Sequence, residues 1–195
     1  MAELDEQELI ERLKRRDDAA FAVLVQNHQG QVYRLLSRLI GDQAEAEEVA
    51  QDVFVAIFKA IPRFRGDSRL STWIYRIATN HGKNRIKYLA RRARDARRPL
   101  DDNTQAGDAI IATGSRPERP DQMVEGLQAQ GHMRAALDAL DAEQRTLVVL
   151  RDVEHLSYDE LQRVCGLPIG TVKSRLHRAR MALHRNFSAL QEDQS

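Results

Sequence analysis

Apolar side chains recur every three or four residues along most of this chain, and that rhythm restricts the fold to packed helices. Leu9, Leu13, Phe21, Leu24 and Val25 begin it, and Val32, Leu35, Leu36, Leu39 and Ile40 continue it. Val49, Val53, Ala56, Ile57, Ala60 and Ile61 form the next stripe, which Pro62 stops because its ring cannot continue a helix. Phe64 to Arg69 reads as a loop, after which Trp73, Ile74, Ile77, Ala78 and Ile86 restart the pattern. Between about Ala96 and Gln122 the rhythm stops, and Pro99, Pro117, Pro120, Gly107, Gly114 and several acids make a linker. From Met123 the helical pattern returns to the end. The expectation is an all-α chain: a helical domain over 1–95, a flexible acidic linker over 96–122, and a second helical domain over 123–195. Aromatics at 5% and only 10 glycines in 195 residues argue against a strand-rich sandwich or barrel.

The formal net charge of +1 hides a strong segregation. Residues 1–54 hold 6 basic and 12 acidic side chains, and residues 55–98 hold 13 and 2. Residues 99–144 hold 3 and 9, and residues 145–195 hold 8 and 6. The second block is therefore built to meet a polyanion, and Ile169 to Arg185 adds a basic run without a single acid. A lone cysteine, Cys165, excludes an intrachain disulfide and a Cys-rich zinc site. The opening MAELDEQELIERLKRR is charged throughout, so no secretory signal is expected. The longest apolar run, Ala19 to Val25, is far short of the roughly 20 residues that cross a bilayer. A cytoplasmic protein without membrane insertion is expected.

Near the C-terminus, Ser157-Tyr158-Asp159-Glu160 has the S-x-x-E spacing of a capping box. The short helix it starts should end at Cys165-Gly166, and Pro168 suits the first turn of the next. Helix, short glycine turn and helix is the spacing of a helix-turn-helix. In the second helix Val172, Leu176, Ala179 and Leu183 make the buried stripe. Thr171, Lys173, Ser174, Arg175, His177, Arg178 and Arg180 are left for the exposed faces. A cationic face with short polar residues near the helix start suits the major groove of duplex DNA.

The first basic block is ordered as well. Arg76, Asn80, Lys83, Asn84 and Lys87 share one side of a helix, opposite Trp73 and Ile77. Cations hold phosphates, and amides among them can pair with base edges. In the preceding loop, Phe64, Arg65, Asp67 and Ser68 place polar groups beside an aromatic, an arrangement that can accept an unstacked base. Phe64 reads equally as a core residue, and for Trp73 the core is the preferred reading. The acidic helix before the loop differs in kind. Glu45, Glu47, Glu48, Gln51 and Asp52, with Phe54 and Phe58 partly off the apolar stripe, point to a protein partner.

Together these segments resemble an extracytoplasmic-function (ECF) sigma factor of the sigma-70 family, in its sigma-E-like branch. Glu45-Ala46-Glu47-Glu48-Val49-Ala50-Gln51-Asp52-Val53-Phe54 is similar to the family's AEDLVQEVF helix. Phe64-Arg65-Gly66-Asp67-Ser68 followed by Thr72-Trp73-Ile74-Tyr75-Arg76-Ile77-Ala78-Thr79-Asn80 is similar to its FRG…TWLYRIAxN signature. Gly170 to Arg180 is similar to its GTVKSRLxRAR helix. The resemblance implies promoter-specific initiation of transcription with core RNA polymerase. Glu48, Gln51, Asp52, Phe54 and Phe58 would dock the β′ clamp helices, and the C-terminal domain would meet the β flap. Phe64, Arg65, Asp67 and Ser68 would take a base flipped from the −10 strand, with Arg76, Asn80, Lys83, Asn84 and Lys87 helping to melt and read it. Thr171, Lys173, Ser174, Arg175, His177, Arg178 and Arg180 would read duplex −35 DNA. An anti-sigma factor, which could hold the protein at the inner membrane, is implied as a further partner. Two positions depart from the pattern. Asp141 replaces the usual proline of an L-x-x-L-P turn, and Leu161-Gln162 replaces Ile-Ala, so altered packing is expected there.

The competing readings are a stand-alone helix-turn-helix regulator and an enzyme. The first leaves the Gln51 to Phe54 motif and the amide-rich first domain without a purpose. For the second there is no G-x-S-x-G, no H-E-x-x-H and no glycine-rich phosphate loop, and the six histidines are scattered. No catalytic residue, cofactor or metal is expected.

Overall fold

Side-chain caps and two left-handed glycines, Gly41 and Gly166, cut the periodic sequence into separate helices in this computed structural model, which describes residues 5–96 and 122–192. The expected linker lies almost wholly outside the described residues. The first domain comprises α1 (Glu6–Lys14), α2 (Asp18–Ile40), α3 (Gln43–Ala60) and α4 (Leu70–Ala96). Asp17 accepts from the backbone N–H groups of Ala19 and Ala20, at 2.9 and 3.2 Å, and starts α2. Asp42 does the same for α3 through Glu45 N, at 2.9 Å. Pro62 falls in a 3₁₀ turn, Ile61–Arg63, that ends α3 and delivers the loop to α4.

The three long helices bury Leu24, Leu35, Leu36 and Leu39 of α2 against Val53 and Ile57 of α3 and Ile74 and Ala78 of α4. Each leucine so removed from water contributes about 1.5–3 kcal/mol. Gly82 is placed where α4 crosses α2: a Cβ there would lie 3.1 Å from Leu36 Cδ2 and 3.5 Å from Leu39 Cδ1. A methyl group at this crossing is tight, and the end of the Leu36 side chain would have to yield to it.

The second domain comprises α5 (Gln122–Asp138), α6 (Ala142–Val148), which a π-helical turn over Val149–Val153 extends, α7 (Tyr158–Cys165) and α8 (Ile169–Glu192). The capping box forms as expected: Glu160 N donates to Ser157 Oγ at 3.2 Å, and Ser157 N to Glu160 Oε2 at 2.8 Å. Gly166 closes α7 at φ +68°, a conformation that side-chain-bearing residues rarely adopt. Val172, Leu176 and Ala179 are buried, whereas Leu183 is only half-buried.

Both departures from the sequence pattern have structural outcomes. Asp141 caps α6, accepting from Gln144 N at 2.8 Å, so the carboxylate starts the helix in a way proline could not. The expected disturbance at Gln162 is not found. Its side chain is exposed, because Leu161 and Val164 are the positions of α7 that turn inward.

The two domains touch. α7 packs on α4, and a single apolar cluster runs from Leu9 of the first domain to Ala179 of the second.

Candidate nucleic-acid interface

The loop after α3 and the first turns of α4 enclose a cleft of about 320 Å³ lined by Asp67, Ser68, Thr72, Trp73 and Arg76, with Arg163 of α7 on its far side. The structure thus brings three predicted residues, Asp67, Ser68 and Arg76, to one concavity. It also decides between the readings of two aromatics. Phe64 is 5% exposed and packs on Trp73 with ring centroids 5.2 Å apart, so it braces the loop from beneath and offers no face to a base. Trp73, read as a core residue, packs against the core and also lines the cleft. The i, i+9 spacing across a turn carries no helical signal, which is why the sequence did not separate the two roles. Arg65 is exposed but outside the cleft lining.

Arg76, Asn80, Lys83 and Lys87 continue from the cleft along α4. Eleven residues at about 1.5 Å each make this row roughly 16 Å long, and Arg76, Asn80 and Lys87 on it are exposed. Asn84 turns aside into a shallow depression with Val49, Asp52, His81, Arg85 and Tyr88. Arg85, which the periodicity did not single out, organises this flank. Its guanidinium lies 2.9 Å from Glu45 and 2.6 Å from Glu48, and the hydrogen bond to Glu48 holds its pKa above the usual arginine value. Ion pairs about forty residues apart leave no trace in periodicity.

The acidic helix borders a separate groove of about 730 Å³ between α2 and α3. Predicted residues Gln51 and Phe54 line it, together with Glu47 and Ala50 of α3 and Val25, Gln29 and Tyr33 of α2. The α2 residues lie at i, i+4 and i+8, a row that the sequence could have disclosed. Phe58 is elsewhere: it packs edge-on against Phe21 at 5.1 Å beneath the Arg16 guanidinium. Glu48 is paired with Arg85, and Asp52 faces the α4 side.

In the helix-turn-helix, α8 presents Lys173, Ser174, His177, Arg178 and Arg180 to solvent, with Thr171 and Arg175 partly covered. Two of the arginines are engaged by carboxylates of their own domain. Arg180 makes a two-pronged pair with Asp152, and Arg175 pairs with Glu143. The Lys173 ammonium lies 5.5 Å from the Tyr158 ring centroid. Among the described residues, no group of three or more His, Cys, Asp or Glu side chains could hold a metal ion. No described helix is long and apolar enough to cross a membrane.

A cleft with a polar rim and an aromatic wall, a row of cations and amides, and a helix-turn-helix occur here in one chain. The sigma-70 region 2 family model matches residues 24–94, and the sigma-70 region 4 model matches residues 132–183. The chain is also 36% identical over 189 residues to the RNA polymerase sigma-H factor of Pseudomonas aeruginosa, covering 95% of both proteins. The chain belongs to the sigma-70 family. Within it, the similarity to the ECF sigma-E factor of Escherichia coli, 31% identical over 96% of this chain and 97% of the relative, identifies an ECF sigma factor. Two solved structures share the fold. One is the sigma factor RpoE of Bartonella quintana in complex with the anti-sigma factor NepR, with TM-score 0.64 and 23% identity over 86% of this chain and 96% of that one. The other is CnrH in complex with the cytosolic domain of CnrY, with TM-score 0.64 and 24% identity over 97% and 99%. In this sigma factor the region 2 match takes in the α2–α3 groove, the cleft and the α4 row, and the region 4 match takes in both helices of the helix-turn-helix.

Proposed function

We propose that this sigma factor docks core RNA polymerase through the α2–α3 groove and the acidic face of α3, and that it reads promoter DNA with its two domains at different points. The domain over residues 1–95 takes an unstacked base of the −10 strand in the cleft of Asp67, Ser68, Thr72, Trp73 and Arg76. Arg76, Asn80, Lys83 and Lys87 hold the strand beyond it, with Asn84 at its edge. The domain over 123–195 inserts α8 into the −35 duplex, and residues 96–122 join the two. Gln51 and Phe54 meet the β′ clamp helices, and the second domain meets the β flap. The protein acts as an initiation factor rather than an enzyme, works in the bacterial cytoplasm, and is a target for an anti-sigma factor.

The observation that carries this reading is the continuity of the cleft with the exposed row on α4. A strand with one base in the cleft has its phosphates delivered to Arg76 and its following bases to Asn80. Two weakly basic modules bind DNA poorly alone, and attachment to polymerase supplies the effective concentration that couples them. The test is Asn80→Ala in transcription reconstituted with purified core polymerase. Promoter opening should fall about tenfold or more while polymerase binding is unchanged, since a good base contact is worth about 1–3 kcal/mol. Normal transcription by that variant overturns the assignment of the α4 row.

A further inference from the structure

A cavity of about 340 Å³ opens between α2 and α5 and takes no part in the strand cleft, the α4 row or the helix-turn-helix. Both helices line it at the same spacing. Arg34, Ser37 and Arg38 fall at i, i+3 and i+4 on α2, and Arg134, Leu137 and Asp138 at i, i+3 and i+4 on α5. Three guanidiniums therefore meet one carboxylate among the described lining residues. That carboxylate is drawn elsewhere, since Asp138 Oδ1 lies 3.3 Å from Arg145 Nη1. Arg134 Nη2 donates to the Gly41 carbonyl at 2.9 Å, a neutral acceptor. Arg38 Nη1 reaches Glu154 only at 3.8 Å, and Glu154 also accepts from the Tyr75 hydroxyl at 2.8 Å. Arg34 is exposed and lies along Gly30, its Nη1 3.2 Å from where a Cβ of that residue would be. The cavity thus keeps an excess of positive charge, which favours an anion.

The donor set and the shape narrow the class of anion. A guanidinium carries five N–H donors, so each of the three arginines keeps several for a ligand. Its planar fork matches phosphate oxygens in pairs, and Ser37 adds a hydroxyl on the same face. The remaining wall is apolar: Tyr33 and Leu137 are half-buried, and Met133 is 40% exposed. An aromatic ring with a thioether nearby suits a flat heterocycle. The volume falls in the range of small-molecule sites, and a bare phosphate would leave most of it empty.

We propose that this cavity binds a nucleoside polyphosphate, with the phosphates across Arg34, Arg38 and Arg134 and the base against Tyr33. Tyr33 also lines the α2–α3 groove. On the assignment of that groove to polymerase, ligand and polymerase compete for the position of one side chain. By linkage, each then lowers the affinity of the chain for the other by the same factor.

The test is calorimetric titration of the full chain with ATP, inorganic pyrophosphate and adenosine in magnesium-free buffer. ATP should bind saturably at one site, pyrophosphate about tenfold more weakly, and adenosine not measurably. Arg34→Gln should weaken ATP about tenfold, and Arg34→Gln/Arg134→Gln about a hundredfold, with the helical signal unchanged. The single variant serves if the double one does not fold. Tyr33→Leu should weaken ATP about fivefold and leave pyrophosphate unchanged, which a general loosening of the fold would not do. Lys83→Gln/Lys87→Gln, on the strand row, should bind ATP as wild type does. Absence of saturable ATP binding, or equal losses in the arginine and lysine variants, overturns the site. Saturating ATP should also weaken association of the wild type with core polymerase and leave that of Arg34→Gln/Arg134→Gln unchanged. ATP binding without that effect, while Gln51→Ala/Phe54→Ala does impair association, overturns the competition and leaves the proposed function standing. If Gln51→Ala/Phe54→Ala associates normally, the groove assignment itself falls.

Discussion

Asp152→Asn is the most informative single change in the second domain, because it separates an arginine's two obligations. Arg180 Nε lies 3.0 Å from Asp152 Oδ2 while its Nη2 contacts Oδ1, and this pairing holds its pKa above the usual value. The two side chains are 47% and 35% exposed, so the pair is well screened by water. An exposed ion pair contributes about 0.2–1 kcal/mol, and the two-pronged geometry favours the upper end. A DNA phosphate that recruits Arg180 has to compete with that carboxylate. Removing it should raise promoter affinity by up to about fivefold, the equivalent of 1 kcal/mol. Salt dependence supplies an independent magnitude: one more neutralised phosphate steepens the slope of log K against log salt by about 0.9. The assay is equilibrium binding of promoter duplex by reconstituted holoenzyme from about 50 to 200 mM KCl. An unchanged affinity and slope would refute the competition. A weakened affinity with the helical signal intact would show that Asp152 aims Arg180 at the groove instead of withholding it.

Other changes test the remaining surfaces and the core. Arg178→Ala should weaken −35 duplex binding by about 1–3 kcal/mol if the side chain reads a base, and more than Arg175→Ala, since Arg175 is engaged by Glu143. The comparison is made by competition between promoter variants. Leu36→Ala empties a fully buried site between α2 and α4 and should cost about 2–5 kcal/mol, read as a lower urea midpoint at unchanged slope. Glu160 is held below its ordinary value of 4.5, first by hydrogen bonding from the Ser157 backbone. A lowered folded value means its stabilisation is complete above pH 4.5 and is lost as pH falls through the lower folded value. Glu160→Gln should flatten the acid limb of a pH–stability profile measured by thermal denaturation.

Most of the helical architecture was legible because its causes are local. Pro62, Ser157 with Glu160, and Gly166 act within a few residues, so this cap and these stops are readable without any tertiary contact. The caps Asp17 and Asp42 are as local but lack the serine of the S-x-x-E pattern that discloses the other. The buried stripe of α8 was legible for the same reason. What stayed hidden was pairing at long range. Phe64 took the core one of its two readings, and Trp73 joined the cleft lining while still packing on the core, because a loop reverses direction between them. Arg85 with Glu45 and Glu48, and Arg180 with Asp152, join residues whose charges looked like free surface. The seam between the domains was invisible because Thr72, Tyr75, Glu154 and Arg163 carry no shared rhythm. Val25, Gln29 and Tyr33 did carry one, and the row was masked by its overlap with the core stripe.

The close crossing at Gly82 has a consequence for how this sigma factor can vary. α2 carries one wall of the protein-facing groove and α4 carries the strand-facing row, and both are rigid rods pinned together at that point. A methyl group at 82 would force Leu36 to give by a few tenths of an ångström. Any tilt taken up there grows with distance along α4 and is largest at the far end of the row, near Lys87. Position 82 therefore acts as the bearing that keeps two distant surfaces in alignment. Substitution there should register first as a mismatch in placing DNA against the bound polymerase, before it registers as unfolding.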